Sequence, residues 1–333
     1  MKILFHLPQG TLHRCFQQQD LARLQAQHDV ILPAADFGHH RDWAAHARDA
    51  DAVVTGWGTP HISDEMLAQA PKLRALVHSA GTTKTLLPHE FWSRRIRLAT
   101  ANEALGIGVA ETTISLIIAG LKGFFPLREE TRAGRWLAKD HAAAGFPIRE
   151  LYQSTIGLIG ASKVGRQVIR LLKNFEVSIL LSDPHVTTEE ASELGVELVE
   201  LDELLKRSDV VSLHAPALSS TRHMLSYDQF ESMKDKSIFI NTARGSIVDE
   251  DALVAELKTG RIFAFIDVTN PEPPAADHPF RSLPNCVLFP HVAGAISNGC
   301  FRQGRSVVDQ LLEFAAGKTM HGEVKEEQFR IMA

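Results

Sequence analysis

The sequence is poor in cysteine and carries no excess of positive charge. Its three cysteines, Cys15, Cys286 and Cys300, include no C-x-x-C pair. This pattern predicts neither a disulfide framework nor a zinc site, and it favours a reducing, cytoplasmic compartment. The formal net charge of -5 argues against a nucleic-acid partner, because nucleic-acid-binding surfaces are usually basic.

Histidine is common, with 16 residues, but it lacks metal-binding spacing. The densest group is His39, His40 and His46. No H-E-x-x-H pattern or paired Cys/His spacing accompanies it. We therefore expect no bound metal, and we expect this group to lie in a solvated loop.

Long hydrophobic runs are also missing. The apolar start, residues 1–6, is too short for a signal peptide. The most apolar later stretch, residues 112–121, lies between Glu111 and Lys122. A helix that spans a bilayer needs about 20 apolar residues. We expect this stretch to be a buried core helix, and we expect no membrane partner.

Short apolar runs alternate with helical stretches along the whole chain. This rhythm predicts α/β domains with parallel sheets and helices on both faces. A chain of 333 residues has room for two such domains. We place one at residues 1–106 plus 297–333 and the other at 107–296, with a cleft between them that can close a small substrate away from water. The predicted strands are residues 2–6, 29–32, 52–55, 75–78, 155–159, 177–182, 210–214, 237–241, 263–267 and 286–289.

The predicted helices separate these strands. The first covers residues 12–27, and a long apolar helix covers roughly 108–124. The others are residues 163–173, 189–194, 201–207, 227–232, 250–258 and 299–317.

A glycine-rich turn follows the strand at residues 155–159 and opens a helix. This is the context of a dinucleotide-binding loop. Gly160 permits the tight turn, and Gly165 lets the helix approach the strand. Ser162 replaces the middle glycine, where a Cβ crowds the phosphate and a hydroxyl can offer a hydrogen bond in compensation. Free backbone N–H groups at the helix start, which includes Lys163 and Val164, would bind a pyrophosphate.

Asp183 ends the next predicted strand, 18 residues beyond Gly165 (183 − 165). An acidic residue at about this distance binds the ribose hydroxyls of a dinucleotide. Its charge would repel a 2′-phosphate, so the sequence favours NAD over NADP.

Five further segments resemble the D-isomer-specific 2-hydroxyacid dehydrogenase family. They are residues 109–111, 211–216, 239–250, 266–273 and 289–294. The resemblance is specific from about residue 108 to 295 and weak over the first hundred residues. It implies two doubly wound α/β domains separated by a cleft: a flavodoxin-like substrate domain and a Rossmann NAD-binding domain. The serine at position 162 is typical of a divergent branch.

The resemblance assigns catalytic roles to Arg244, Glu272 and His291. A guanidinium can hold the substrate carboxylate with two hydrogen bonds and polarise the adjacent carbonyl. His291 would be the general acid and base, because an imidazole titrates near neutral pH. Glu272 would orient the ring and favour its protonated form.

The family's cofactor contacts and substrate loop also map onto this chain. The substrate loop corresponds to Ser79, Ala80 and Gly81, but the usual G-x-G-x-D pattern is absent and Lys84 is unexpected. The further cofactor residues are His214, Ala215, Pro216, Thr242, Ala243, Gly294 and Asp267, of which the last would contact the nicotinamide carboxamide.

We therefore expect an NAD-dependent oxidoreductase that interconverts a small D-2-hydroxy acid and its 2-keto acid. Glyoxylate, hydroxypyruvate and larger 2-keto acids remain open as substrates. The family's habit predicts a homodimer through the apolar helix near residues 109–121. Two alternatives remain. One is a formate-dehydrogenase-like enzyme, against which Glu272 argues because that enzyme has Gln there. The other is a non-enzymatic, NAD-binding corepressor on the same fold.

Overall fold

The computed structural model describes residues 1–137 and 148–332. In chain order its strands are β1 (Lys2–Phe5), β2 (Asp29–Ile31), β3 (Ala52–Thr55), β4 (Ala75–His78), β5 (Arg97–Thr100), β6 (Thr155–Ile159), β7 (Ser178–Ser182), β8 (Glu197–Leu198), β9 (Val210–Leu213), β10 (Ile238–Asn241), β11 (Phe263–Ile266), β12 (Cys286–Leu288) and β13 (Glu323–Val324).

The helices lie between these strands. They are α1 (Gln9–Cys15), α2 (Gln18–Gln25), α3 (His39–His46), α4 (Asp64–Ala68), α5 (Asn102–Leu121), α6 (Phe124–Arg132), α7 (Lys163–Leu172), α8 (Thr188–Leu194), α9 (Leu201–Arg207), α10 (Tyr227–Ser232), α11 (Glu250–Lys258), α12 (Gly299–Ala315) and α13 (Glu326–Ile331).

The chain forms two compact units. Unit 1 comprises Met1–Gly108 and Ala295–Ala333, and unit 2 comprises Val109–Gly294. Each contains one mainly parallel sheet, which confirms the predicted α/β class. The sheet order is β13-β5-β4-β3-β1-β2 in unit 1, where β13 alone runs antiparallel, and β12-β11-β10-β9-β6-β7-β8 in unit 2.

Each sheet is covered on both faces. In unit 1, Ile3 and Phe5 of β1 pack into one core with α12, while Leu4 between them packs into a second core with Trp43 of α3. The central strands β3, β4, β9, β10 and β11 are buried at every position. Burial of both faces explains why these strands are continuous apolar runs in the sequence.

The predicted helix at residues 12–27 is wrong, because two helices occupy this stretch. Phe16 and Gln17, between α1 and α2, are extended. Phe16 is buried against Phe5 in an edge-to-face contact, with ring centres 5.1 Å apart. Burial of this ring outweighs one more turn of helix.

The predicted solvated loop at His39, His40 and His46 is also wrong. This stretch forms α3, whose Trp43 is fully buried. The Asp42 carboxylate accepts the backbone N–H of Gly38 at the helix start, at 2.9 Å. A buried tryptophan and a hydrogen bond at the helix start therefore order the segment.

The apolar helix α5 has 20 residues and begins earlier than predicted. It is long and apolar enough to cross a bilayer by length and composition alone. Ala110, Ile117 and Leu121 are buried in a core that also contains residues of β6 and α7. Packing of this side of the helix accounts for much of its apolar character.

Candidate active site

The glycine-rich turn between β6 and α7 is a tightly packed cradle. Gly160 has a φ of +96°, and a Cβ there would lie 2.7 Å from the backbone nitrogen of Ala215. A Cβ on Gly165 would lie 2.3 Å from the Gly160 carbonyl oxygen. Only glycine fits at both positions, so the turn packs directly against the segment after β9, and α7 begins close to the end of β6. This is the geometry that holds a pyrophosphate at a helix N-terminus.

Ser162 is the N-cap of α7. Its hydroxyl oxygen accepts the backbone N–H of Gly165 at 3.4 Å, and its φ and ψ are extended, as is usual for an N-cap. The side chain that replaces the middle glycine therefore stabilises the start of the helix.

Asp183 follows β7 and reaches back to the same turn. One carboxylate oxygen accepts the backbone N–H of Ala161 at 2.7 Å, and the other accepts that of His185 at 2.8 Å. Asp183 thus ties the turn to the end of β7. Each carboxylate oxygen can accept a further hydrogen bond, so the predicted contact with a ribose stays open.

His214 follows β9 and lies beneath the turn. It is buried, its Nε2 has no hydrogen-bond partner in the part of the chain that the structure describes, and burial lowers its pKa to about 3. The imidazole is therefore neutral near pH 7. The Cβ of His214 would lie 3.5 Å from a Cβ added at Gly165, so His214 packs directly against the glycine-rich turn.

Arg244 lies just beyond β10, at the carboxyl edge of the unit 2 sheet. Its Nη1 donates to the Ala243 carbonyl at 2.6 Å, and among the described residues no carboxylate pairs with it within 4 Å. Burial lowers the pKa of Arg244, and attraction by Glu272 partly offsets this. A half-buried guanidinium without an ion pair is suited to bind an incoming carboxylate.

Two residues that the sequence analysis did not single out hold Arg244 in place. Asn241 donates to the Arg244 carbonyl at 3.1 Å and accepts the N–H of Ala243 at 3.0 Å. A Cβ on Gly245 would lie 2.1 Å from the backbone carbon of Thr269. The glycine therefore lets this segment press against the one that carries Glu272. The Asn241 side chain at a strand end and the Arg-Gly pair were the available signals.

Asp267 follows β11 and organises the loop after β12. Its two carboxylate oxygens accept the backbone N–H groups of Val292 at 2.8 Å and Ala293 at 2.9 Å, and its carbonyl accepts that of His291 at 3.0 Å. His291 itself has a φ of +54°, a backbone conformation that is uncommon outside glycine. Three hydrogen bonds to one residue hold this strained turn.

His291 and Glu272 form a hydrogen-bonded pair. Nδ1 of His291 lies 2.6 Å from Oε1 of Glu272, and the side chains are 47% and 40% exposed. A carboxylate accepts the proton of Nδ1, which leaves Nε2 available on the open side of the ring. The ring is therefore oriented and can exchange a proton with a ligand.

The comparisons with known proteins agree with this geometry. Residues 114–293 match the model of the D-isomer specific 2-hydroxyacid dehydrogenase NAD-binding domain. A glyoxylate reductase of Korarchaeum cryptofilum is 33% identical over 285 residues, which cover 85% of each chain. The chain belongs to the D-isomer-specific 2-hydroxyacid dehydrogenase family.

Other similar proteins are named for a different substrate, phosphoglycerate. A D-3-phosphoglycerate dehydrogenase of Methanocaldococcus jannaschii is 32% identical over 84% of this chain, which spans about half (51%) of that relative. The crystal structure of a phosphoglycerate oxidoreductase from Rhizobium etli superposes with a TM-score of 0.83 at 25% identity, and covers 98% of both chains.

NAD is the cofactor of this family member, because the matched model is that of an NAD-binding domain. The residues present fit the group, because the tight turn at Gly160 and Gly165 leads directly into the N-terminus of α7, where backbone N–H groups can bind a pyrophosphate. The acid that follows β7, Asp183, is hydrogen-bonded to the same turn through the Ala161 N–H.

The substrate loop of the family lies after β4 in unit 1. Ser79 and Ala80 are buried, and the Ser79 hydroxyl has no hydrogen-bond partner in the described parts of the chain. A Cβ on Gly81 would lie 3.3 Å from the side-chain oxygen of Asn102. Because they follow β4, Ser79, Ala80 and Gly81 lie at the carboxyl edge of the unit 1 sheet. Their contact with a substrate stays a prediction.

Proposed function

We propose that this protein is an NAD-dependent oxidoreductase that interconverts a small D-2-hydroxy acid and the corresponding 2-keto acid. The observation that carries the proposal is the His291–Glu272 pair at 2.6 Å, together with a half-buried Arg244 that no described carboxylate pairs with. An oriented proton donor and a carboxylate-binding cation are what reduction of a 2-keto acid requires.

In the proposed reaction, Arg244 holds the substrate carboxylate and polarises the 2-keto oxygen. His291 donates a proton from Nε2 to that oxygen as the carbonyl carbon is reduced, and it takes the proton back in the reverse direction. Glu272 keeps the ring oriented through Nδ1 and stabilises the protonated imidazole. Bound NADH would supply the hydride for the reduction, and NAD⁺ would accept it in the reverse direction.

We assign the remaining residues accordingly. Ser79, Ala80 and Gly81 bind the substrate with Arg244. The cofactor is bound by Gly160, Ser162, Lys163, Val164, Gly165, Asp183, His214, Ala215, Pro216, Thr242, Ala243, Asp267 and Gly294.

The test is a turnover assay with NADH and a panel of 2-keto acids that includes glyoxylate and hydroxypyruvate. We expect measurable reduction of at least one of them. Oxidation of formate with NAD⁺, and no reduction of any 2-keto acid, would instead indicate a formate dehydrogenase. Tight NADH binding without turnover of any compound would indicate a regulator.

We also propose that the protein is a cytoplasmic homodimer that associates through α5 and its flanks. Phe124 is 58% exposed, Trp136 is 81% exposed, and Tyr152 is exposed as well. Large exposed aromatic side chains are enriched at protein–protein interfaces, and Phe124 lies three residues beyond the end of α5. Light scattering that gives the mass of one chain at micromolar concentration would contradict the dimer.

A further inference from the structure

The connection between β11 and β12 carries Glu272 and is rich in proline. Four of the nine residues from 271 to 279 are proline. Proline has no backbone N–H group, so this segment has few donors for backbone hydrogen bonds. We call residues 270–279 the proline-rich loop. Contacts with side chains elsewhere in unit 2 are therefore important for its position.

One side chain, that of Glu250, contacts the proline-rich loop at both ends. Its Oε1 accepts the backbone N–H of Asn270 at 2.7 Å, two residues before Glu272. Its Oε2 lies 3.3 Å from Nε2 of His278, six residues after Glu272. The two oxygens of one carboxyl group thus bracket the stretch of chain that carries Glu272.

His278 presents an N–H group to this carboxyl. Burial lowers the pKa of His278, so its ring is neutral near pH 7. The ring Nδ1 accepts the backbone N–H of Phe280 at 3.3 Å, so the single proton of the neutral ring lies on Nε2, the nitrogen near Glu250. Phe280 is itself buried in the core of unit 2. This end of the loop is therefore anchored from two sides.

Glu250 is placed on a rigid element. It is the first residue of α11, whose N-cap Asp249 accepts the N–H of Ala252 at 3.3 Å and whose Leu253 and Leu257 are buried in the core. The Glu250 side chain is only 14% exposed, and burial raises its pKa. A buried carboxyl costs free energy unless hydrogen bonds compensate it. The contacts with the proline-rich loop supply that compensation.

The other side-chain contacts of the loop are local in sequence. The Thr269 hydroxyl donates to the Pro271 carbonyl at 2.9 Å. Arg281 donates to the carbonyls of Ala275 at 2.9 Å and Pro274 at 3.1 Å. These bonds shape the loop, whereas Glu250 connects it to a separate helix.

We propose that Glu250 is a positioning residue, which holds the proline-rich loop so that Glu272 stays aligned with Nδ1 of His291. This inference rests on the proposed function and adds a residue to its proton-transfer machinery. The Glu272 and His291 side chains are 40% and 47% exposed. Holding an exposed pair in one geometry costs conformational entropy, and a fixed loop lowers that cost.

A double-mutant cycle on kcat tests the proposal, with NADH and the 2-keto acid that is reduced fastest. We expect Glu250→Ala to lower kcat about fivefold, with KM and NADH affinity nearly unchanged, because alignment of the proton donor is lost. In a Glu272→Gln background the same substitution should lower kcat less than about twofold, because the two residues act through one pair. Losses that multiply in the double variant would overturn the proposal.

The matched control is Glu256→Ala. Glu256 lies on the same helix, its side chain is 11% exposed, and it pairs with Arg261 at 2.8 Å. Its loss should lower the melting temperature but leave kcat unchanged. An equal loss of kcat in this variant would mean that Glu250 acts through the stability of α11 alone.

Glu250→Gln replaces Glu250→Ala if the alanine variant does not fold, as judged by loss of NADH binding. The glutamine oxygen can still accept the Asn270 N–H, but its NH₂ group and the Nε2–H of His278 are both donors. We expect a smaller loss of kcat than in the alanine variant. A kcat equal to that of the wild type in both variants would overturn the positioning role.

A second readout needs no turnover. The ring signals of His291 are followed against pH by NMR on protein with labelled histidine, and His291→Gln identifies them. Glu250→Ala should move the transition to lower pH, in the same direction as Glu272→Gln, because a misaligned carboxylate stabilises the imidazolium less. Glu256→Ala should not move it.

This titration separates the inference from the proposed function. A transition in Glu250→Ala identical to that of the wild type would overturn the positioning role, even if the enzyme reduces 2-keto acids. If the wild type reduces no 2-keto acid, the proposed function fails, and a shifted transition would still show that Glu250 positions Glu272 beside His291.

Discussion

The two units place different chemistry at the carboxyl ends of their parallel strands. Unit 2 presents charged groups there: Arg244, Asp267, and the Glu272–His291 pair. Unit 1 buries neutral histidines at the same edge of its sheet, His6 after β1 and His78 in β4. The same architecture therefore places charged side chains at this edge in unit 2 and buried, neutral histidines at this edge in unit 1.

The most severe test of this division is His291→Ala. We expect kcat to fall by roughly 10²–10⁴, which is the usual contribution of a positioned acid and base. NADH affinity, measured by calorimetry, should change little because the imidazole is assigned to the substrate. The matched control is His89→Ala, which removes an exposed histidine from unit 1. Full activity of the His291 variant would remove the proposed mechanism.

Arg244→Lys tests the cation of unit 2. We expect a higher KM and a lower kcat, with a combined loss of about 10²-fold in kcat/KM, because an ammonium cannot reproduce the two-pronged hydrogen bond of a guanidinium. The counterpart in unit 1 is Arg97→Lys, since Arg97 is committed to Glu323. The kcat and KM of that variant should not change. Equal losses in both variants would mean that Arg244 acts through stability alone.

Acid should lower the free energy of unfolding of unit 1 more than that of unit 2. A histidine whose pKa is lowered by folding stays neutral in the native state, while the unfolded chain takes up a proton below about pH 6.5. The stability contributed by keeping each histidine neutral is therefore fully present above about pH 6.5. It is lost as the pH falls towards the pKa in the folded protein, which is about 3 for His6 and His214 and about 4 for His78. Unit 1 contains two of these groups and unit 2 contains one.

From pH 7 to pH 5 we expect losses on the order of 4 kcal/mol in unit 1 and 2 kcal/mol in unit 2. Burial also lowers the pKa of His28 and His39 in unit 1 and of His278 in unit 2. With these groups included, unit 1 is still expected to lose more stability than unit 2. Hydrogen exchange followed by mass spectrometry, corrected for intrinsic rates, measures both units in the intact protein. His78→Gln should reduce the loss in unit 1 by about half. Equal losses in the two units would contradict the assignment.

The sequence predicted unit 2 better than unit 1, for physical reasons. The strand at 155–159 and the helices α9, α10 and α11 have the predicted bounds, because strong apolar periodicity and turn residues delimit them. In unit 1, β5 was missed because Arg97 begins it and Arg94 and Arg95 precede it. The two-residue edge strand β13 carries no readable pattern.

The site shows the same limit. The resemblance pointed to Arg244, Glu272 and His291, and the structure brings Glu272 and His291 into contact. The resemblance did not indicate that the two carboxylate oxygens of Asp267 accept the backbone N–H groups of Val292 and Ala293. Such a contact depends on how two loops 25 residues apart meet, which local sequence patterns do not encode.

Glu272→Gln should have a smaller effect than either catalytic substitution above. The amide keeps a hydrogen-bonding side chain beside His291 but removes the negative charge that stabilises an imidazolium. We expect kcat for keto-acid reduction to fall by about tenfold, with KM nearly unchanged. Glu203→Gln is a control in the same unit, since Glu203 pairs with Arg207 within α9. No change in kcat would show that Glu272 is dispensable for the proton transfer.

The smallest effect is expected at Ser162, where a pair of N-caps compares the two units directly. Ser162 caps α7 through Gly165, and Ser63 caps α4 through the N–H of Met66 at 3.3 Å. Glycine is a tolerated N-cap, so each Ser→Gly substitution should cost only a few tenths of a kcal/mol in stability. At Ser162 the substitution also removes a Cβ from the phosphate approach. Activity should therefore persist, and NADH affinity, measured by calorimetry, should change by no more than about tenfold, or about 1.4 kcal/mol. Ser63→Gly should leave that affinity unchanged. Loss of cofactor binding in Ser162→Gly alone would show that the hydroxyl binds the cofactor directly, in which case its main role is not that of a helix cap.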